Sequence, residues 1–167
     1  MNATSTDKLY VLALFPSTRG VAYVLFDSPL SLADWGHYSI KGDTKNLKCT
    51  EAAERLIERY VPDVVVLEDA SKRTHPRGVR IALLNQAFVT LAGVHGVDVV
   101  RFSTKEIRRR FESVGASTKN EQANMIASML PALSHKVPPK RKAWAAEDPR
   151  MALFEAAALG LAYYGRE

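Results

Sequence analysis

A single carboxylate stands where a strongly apolar segment of the chain ends. Glu68 follows the run VVVL at residues 64–67, which is typical of a strand buried on both faces of a sheet. Ligands of open α/β sheets bind at such strand ends, where a partly desolvated carboxylate needs a cation or a hydrogen-bond donor. Glu68 therefore has two interpretations. It contributes to a Mg²⁺ site for phosphodiester cleavage, which needs several carboxylates, or it is an ordinary acid at a strand end.

Basic side chains follow Glu68 directly and recur in two later segments. One group lies in the polar stretch after the strand, one lysine begins a helix after a Gly-Ala turn, and the last group lies in a proline-rich loop with Trp144. Such residues can hold a DNA backbone beside the acid, with the indole stacking on a base, or they are solvated surface. The candidate nucleic-acid-binding residues are Lys72, Arg73, Arg77, Lys119, Lys140, Arg141 and Lys142. The run of arginines at 108–110 occupies successive helix positions, and we expect it on the surface.

Hydrophobic periodicity predicts the elements that position these residues. Three short strands with tight turns form an antiparallel meander, and the first of them is bounded by Pro16. Helical and strand patterns then alternate, which requires right-handed parallel crossovers in a mixed α/β domain. Thr50 and Ser103 are the expected N-caps of two helices. The predicted strands are 9–14, 21–27, 33–40, 64–67 and 97–102, and the predicted helices are 50–60, 79–94, 104–111, 118–130 and 149–164.

Composition limits the class of protein. The 167 residues carry a net charge of +5, with 47% hydrophobic and 25% charged residues, which is typical of one globular domain. We expect a single domain over 1–167, with a flexible basic loop at 134–147. Cys49 is the sole cysteine, so an internal disulfide and a cysteine metal cage are excluded. The sequence shows no membrane helix, secretory signal or phosphate-binding loop, so we expect a cytoplasmic protein without a nucleotide cofactor.

Several segments together resemble the RuvC-like Holliday junction resolvases of the ribonuclease H-like superfamily. The meander, the strand end VVVLE at 64–68 and the stretch GASTKNEQ at 115–122 are similar to that family's pattern. The segments LYVLALFPSTRG at 9–20 and FEAAALGLAYY at 154–164 resemble its first strand and its last helix. The resemblance covers about residues 9–165. It implies a ribonuclease H-like α/β fold, with a mixed five-stranded sheet of antiparallel meander and parallel strands flanked by helices.

The resemblance implies an acidic metal site that this sequence retains only in part. Glu68 and Glu155 match two of the family's acidic positions, whereas Phe15 occupies the position of a metal-binding aspartate and Ala152 that of a further ligand. Asp148 lies two turns before Glu155 and is a substitute ligand or, alternatively, an N-cap. The candidate catalytic and metal-binding residues are therefore Glu68, Glu155 and Asp148. Mg²⁺ or Mn²⁺ is expected to bind weakly, because a phenyl ring offers no oxygen ligand.

Three functions follow from this resemblance. The first is a RuvC-like protein that binds branched or duplex DNA in recombination or repair, with weakened or lost nuclease activity. The second is an active Mg²⁺-dependent crossover junction endodeoxyribonuclease, and the third is a non-catalytic protein-interaction module on the same fold. The resemblance also implies a two-fold homodimer. Helix 79–94, with Ile81, Phe88 and Val89, is the predicted dimer surface, and core packing of these residues is the alternative.

Overall fold

The computed structural model describes residues 8–70 and 76–166. In this part of the chain, five strands form one sheet in the order β3-β2-β1-β4-β5. The first three are antiparallel neighbours, and β4 and β5 continue the sheet parallel to β1. The strands are β1 (Val11–Ser17), β2 (Gly20–Ser28), β3 (Ser31–Ser39), β4 (Val64–Glu68) and β5 (Asp98–Phe102). The predicted mixed five-stranded sheet is confirmed.

Helices cover both faces of the sheet and divide the core into two layers. One apolar layer contains side chains of α1 and α2, and the other contains those of α4 and α5. β1 and β4 alternate between the two layers, so each strand is buried on both sides. The helices are α1 (Lys45–Tyr60), α2 (Pro76–Val94), α3 (Thr104–Glu112), α4 (Lys119–Met129) and α5 (Met151–Tyr164), with a short 3₁₀ helix at Pro131–Lys136.

Two predicted boundaries are wrong for identifiable reasons. β1 runs through Pro16 to Ser17, because its pairing with β4 ends at Ala13 and the remainder pairs with β2 alone. A missing backbone N–H is tolerated where one side of a strand is open. α1 begins five residues before the expected start. Thr50 is therefore not an N-cap, and its hydroxyl donates to the Asn46 carbonyl within the helix at 2.9 Å.

The apolar side chains of α2 do not all lie where a dimer surface requires them. Ile81 and Phe88 are buried in the core, at 5% and 0% exposure. The exposed large apolar side chains of α2 are instead Val79 and Leu83, which lie one turn apart on the same face of the helix, and Val94 at its last position. Within the described residues, no helix combines the length and apolar character needed to cross a bilayer.

Helix α5 lies close against the sheet at Gly160, where its inner face carries small side chains. Ala156, Ala157 and Gly160 are buried against the strands. A Cβ atom at Gly160 would stand 2.0 Å from the ring of Phe26 on β2, so only glycine fits this approach. The close packing determines how far Glu155, on the same helix, stands from the ends of β1 and β4.

Candidate functional site

Strand alternation places Phe15 and Glu68 on the same side of the sheet. Val11 and Ala13 of β1 pack in the layer that contains α5, and Phe15, two residues further on, lies against the same layer. On β4, Val64 and Val66 belong to this layer as well, so Glu68 at the end of the strand points to the same side. Phe15, two residues before the end of β1, and Glu68, at the end of β4, thus both face α5.

Glu155 of α5 completes a cavity of about 200 Å³ at these strand ends, which we call the cleft. The structure therefore brings together Glu68, Glu155 and Phe15, three of the positions that the sequence singled out. It also brings in Lys119, at the start of α4, and Arg108 of α3. The cleft is lined by Phe15, Glu68, Thr104, Ile107, Arg108, Ser117, Lys119, Gln122, Glu155 and Leu159.

Glu68 is buried, at 5% exposure, and accepts a hydrogen bond from the hydroxyl of Thr104 at 2.5 Å. Thr104 is the first residue of α3, and its position is fixed by the cap of that helix. The Ser103 hydroxyl accepts from the backbone N–H of Glu106, and the Glu106 carboxylate accepts from the N–H of Ser103. This capping box confirms the predicted N-cap. It also explains how a short helix holds a donor against the end of β4.

Lys119 lies between two carboxylates. Its Nζ atom is 2.5 Å from Oε1 of Glu147 and 3.3 Å from Oε1 of Glu155. The lysine reaches this place because α4 begins with a capped turn, in which the Thr118 hydroxyl accepts from the backbone N–H of Glu121 at 3.1 Å. Glu147 lies in the loop before α5, outside any periodic pattern, and its role could not be found from the sequence.

Burial and the ion pair act in opposite directions on the two partners. Burial raises the pKa of the Glu155 carboxyl above its usual range, although the Lys119 ammonium opposes this rise. For Lys119, burial disfavours the charge, but the carboxylates of Glu155 and Glu147 prevail and raise its pKa. The lysine is therefore a firmly protonated cation beside Glu155.

Asp148 lies away from the other two candidate acids. Its carboxylate accepts from the Arg150 guanidinium at 2.7 Å and from the Arg150 backbone N–H at 2.9 Å. The Arg150 side chain donates to this carboxylate and holds its pKa below the usual range. Asp148 lines a neighbouring cavity of about 480 Å³, which we call the loop pocket, and does not line the cleft. N-cap duty is also not its role, since the cap position of α5 is Arg150.

The loop pocket contains three of the predicted basic residues. Lys140 and Arg141 line it together with Lys119, which borders the cleft as well. Lys142 lies over the exposed ring of Trp144 instead, with Nζ 5.3 Å from the ring centroid. The loop pocket is lined by Thr118, Lys119, Asn120, Glu121, Pro138, Pro139, Lys140, Arg141, Glu147, Asp148 and Met151.

The other predicted DNA-binding residues and the run of arginines at 108–110 lie in three different places. Lys72 and Arg73 lie outside the described residues, and so does the side chain of Arg77. Arg110 lies over the ring of Phe102, 5.5 Å from its centroid. Arg108, which the sequence assigned to the surface with its two neighbours, lines the cleft. Because the three arginines occupy successive helix positions, they point in different directions, and Arg110 lines a separate cavity between α4 and α5.

The acidic residues of the cleft do not fit a site for two divalent ions. Across residues 8–70 and 76–166, one group of three His, Cys, Asp or Glu side chains has ligand atoms within 4.8 Å of one another. This group is Glu54, Glu58 and His95, which lies on α1 and just after α2. In the cleft, Glu68 and Glu155 meet a phenyl ring, an ammonium group and neutral polar side chains rather than a further carboxylate.

Comparisons with known proteins agree with this architecture. Over 128 residues the chain is 23% identical to the crossover junction endodeoxyribonuclease RuvC of Akkermansia muciniphila, covering 72% of this chain and 77% of the relative. The fold is similar to T. thermophilus RuvC in complex with a Holliday junction substrate, with TM-score 0.67, 15% identity and 94% of each chain covered. The fowlpox virus Holliday junction resolvase has TM-score 0.51 and 15% identity, with 94% of this chain and 98% of that chain covered. No family model matches the chain.

The sheet order, the helices on its two faces and these likenesses define a ribonuclease H-like fold. Within that class, the resemblance to RuvC-like Holliday junction resolvases is confirmed. The chain is similar to RuvC both in sequence, at 23% identity, and in fold.

Proposed function

We propose that this chain is a RuvC-like DNA-binding protein whose nuclease activity is weakened or lost. The observation that carries the proposal is the ring of Phe15 in the wall of the cleft, at the strand end where the resemblance implies an aspartate. Mg²⁺ takes oxygen ligands in near-octahedral geometry, which neither Phe15 nor the buried Ala152 supplies. Two carboxylates, one of them beside an ammonium group, are then left for the metal.

DNA is the proposed ligand because basic side chains continue from the cleft into the loop pocket. Lys119 borders both cavities, and Lys140 and Arg141 line the second. The loop pocket also contains the acidic residues Glu121, Glu147 and Asp148. Its charge is therefore mixed, and the basic side chains are the groups that could contact phosphates in a chain of net charge +5. Such contacts bind the phosphate backbone without reading the sequence. A similar fold occurs in T. thermophilus RuvC bound to a Holliday junction substrate, which favours branched DNA as the ligand.

The proposed DNA binding is tested by neutralising Lys140 and Arg141. Either Lys140→Gln or Arg141→Gln is expected to weaken binding about equally for all duplex and branched sequences. Each change should also reduce the slope of log affinity against log salt concentration by about 1, because one phosphate contact is lost. The measurement is a salt titration by fluorescence anisotropy with a labelled four-way junction and a labelled duplex.

The matched control for this titration is Lys48→Gln. Lys48 is exposed on α1, which packs on the opposite face of the sheet from the cleft. The same charge change there is expected to leave the salt slope unaltered. Absence of any DNA affinity at low salt would contradict the proposal and favour the interaction module instead.

Assembly is a second expectation under the proposed function. RuvC-like resolvases pair as two-fold dimers, and an isologous interface would bring two copies of the same α2 surface together. Leu83, at 66% exposure, is the most exposed apolar side chain in the middle of α2. Leu83→Glu is expected to weaken dimerisation at least about tenfold, because two buried carboxylates would face each other. Light scattering at micromolar concentrations measures this mass, with Leu47→Glu on α1 as the exposed apolar control. A wild-type protein that is monomeric throughout this range would contradict the dimer.

A further inference from the structure

The cleft already contains a cation that belongs to the chain. The ammonium of Lys119 contacts the carboxylates of Glu147 and Glu155, at 2.5 Å and 3.3 Å. The two acids come from different parts of the chain, the loop before α5 and α5 itself, and the lysine comes from α4. One positive group thus joins three segments around the strand ends. A bridging metal ion makes the same kind of connection in a carboxylate site.

The surroundings of this ammonium favour it over a divalent ion. The side chain of Glu155 is only 28% exposed, so its carboxylate is partly desolvated and requires a compensating charge. Lys119 supplies this charge without needing further ligands, whereas Mg²⁺ requires about six oxygens in near-octahedral geometry. Phe15 and Leu159 offer only carbon atoms to the cleft. A second cation close to the ammonium would also be repelled by it.

We propose that the ammonium of Lys119 is the resident cation of the cleft and takes the place of a divalent ion. This inference rests on the proposed function and deepens it, since it names the group that balances the charge of Glu155 in the cleft. Glu147 and Glu155 then stabilise the fold as members of an ion-pair network with Lys119. Divalent ions have no high-affinity site there as long as the lysine is present.

The test is the response of three variants to Mn²⁺ in the absence of DNA. The melting temperature of the wild-type protein is expected to be the same in EDTA and in millimolar Mn²⁺. Lys119→Met removes the ammonium but retains much of the side-chain volume. It is expected to lower the melting temperature in EDTA, because Glu155 loses its partner. Mn²⁺ should then raise this temperature by about 2–4 °C, since a ligand that binds only the folded state stabilises it.

Two further variants keep the result interpretable if Lys119→Met folds poorly. Lys119→Arg retains the positive charge and is expected to show no response to Mn²⁺. The double variant Lys119→Met/Glu155→Gln removes both charges, and it should regain stability in EDTA without a response to Mn²⁺. Lys48→Met, on the opposite face, is the control for removal of one surface lysine. Mn²⁺ binding itself is followed by electron paramagnetic resonance, where Lys119→Met should bind at least about tenfold more tightly than the wild type.

The outcomes separate this inference from the proposed function. Mn²⁺ binding by the wild-type protein that Glu155→Gln abolishes would overturn the inference. Equal Mn²⁺ affinity of the wild type and Lys119→Met would overturn it as well. Neither result depends on DNA, so a failure to bind DNA in the salt titration counts against the proposed function alone.

Discussion

Purified wild-type protein is expected to leave a four-way DNA junction uncut in millimolar Mg²⁺ or Mn²⁺, or to cut it very slowly. Metal ions in such sites stabilise the charge that develops on the transferring phosphoryl group. Loss of a single electrostatic contact of this kind costs about a hundredfold to a thousandfold in rate. Phe15 and Ala152 offer no oxygen at two positions where the resemblance implies metal ligands. A time course with labelled junctions, resolved on denaturing gels, measures the cleavage.

Restoring one carboxylate should recover metal binding before it recovers cleavage. Phe15→Asp places a carboxylate in the last part of β1, in the same cleft as Glu68 at the end of β4. The ring of Phe15 is half-buried against the core layer that contains α5, so the change costs about 1–3 kcal/mol of stability. We expect Mn²⁺ to offset part of this cost in thermal melts. Calorimetry should show tighter Mn²⁺ binding than in the wild type.

Cleavage is expected only when the second ligand is restored in the double variant Phe15→Asp/Ala152→Asp. Ala152 lies one turn before Glu155 and is 8% exposed, so an aspartate there is buried and requires a cation. The two new carboxylates add a charge of −2, which the single ammonium of Lys119 cannot balance. A divalent ion is then favoured, because the added carboxylates attract it more strongly than the acids of the wild-type cleft do. The control is Phe15→Asn/Ala152→Asn, which has similar shape without the added charge.

One result would favour the active endonuclease over a protein with weakened or lost nuclease activity. If wild-type protein cleaves the junction at ordinary enzyme rates and Glu68→Gln abolishes the cleavage, the active endonuclease becomes the better description. Another acid would then have replaced the aspartate that Phe15 displaces. Glu147 would be the first residue to test. Its carboxylate contacts Lys119, and its charge contributes to the raised pKa of Glu155, although less than burial does.

The sequence predicted those parts of the cleft that depend on periodicity. An unbroken apolar run identified β4 as a central strand, and the alternation of side chains then put Glu68 at its end on a known side. The Ser103 N-cap could be predicted because a serine and a glutamate three residues later form a capping box, which depends only on local geometry. Each of these features is determined by neighbours within about one turn or one strand pair.

Contacts between distant segments could not be read from the sequence. Glu147 meets Lys119 across 28 positions, and Thr104 meets Glu68 across 36. Neither contact leaves a periodic signal, since one partner lies in a loop and the other at a helix start. The displacement of Asp148 has a similar cause. Its helical spacing from Glu155 would apply only within a helix, but α5 begins at Met151 and Asp148 turns back to Arg150.

The stability of the fold should be unusually sensitive to one methyl group on α5. Gly160→Ala is expected to destabilise the protein by about 1–3 kcal/mol, although alanine is the better helix former. The added Cβ atom would stand 2.0 Å from Cε2 and 2.6 Å from Cζ of Phe26, whose ring is fully buried. The ring or the helix must therefore move. Urea denaturation, followed by circular dichroism, measures the difference in free energy of unfolding.

Gly93 in α2 provides the matched control for this change. A Cβ atom there meets nothing within 4 Å, so Gly93→Ala is expected to stabilise the protein by about 0.5–1 kcal/mol through helix propensity alone. Phe26→Leu should relieve the clash, so the double variant Gly160→Ala/Phe26→Leu is expected to lose less stability than the sum of its parts. Equal effects of Gly93→Ala and Gly160→Ala would contradict the close approach of α5 to the sheet. Glu155 lies on the same helix. That result would therefore also mean that the close packing of α5 does not determine the position of Glu155 beside Glu68 and Phe15.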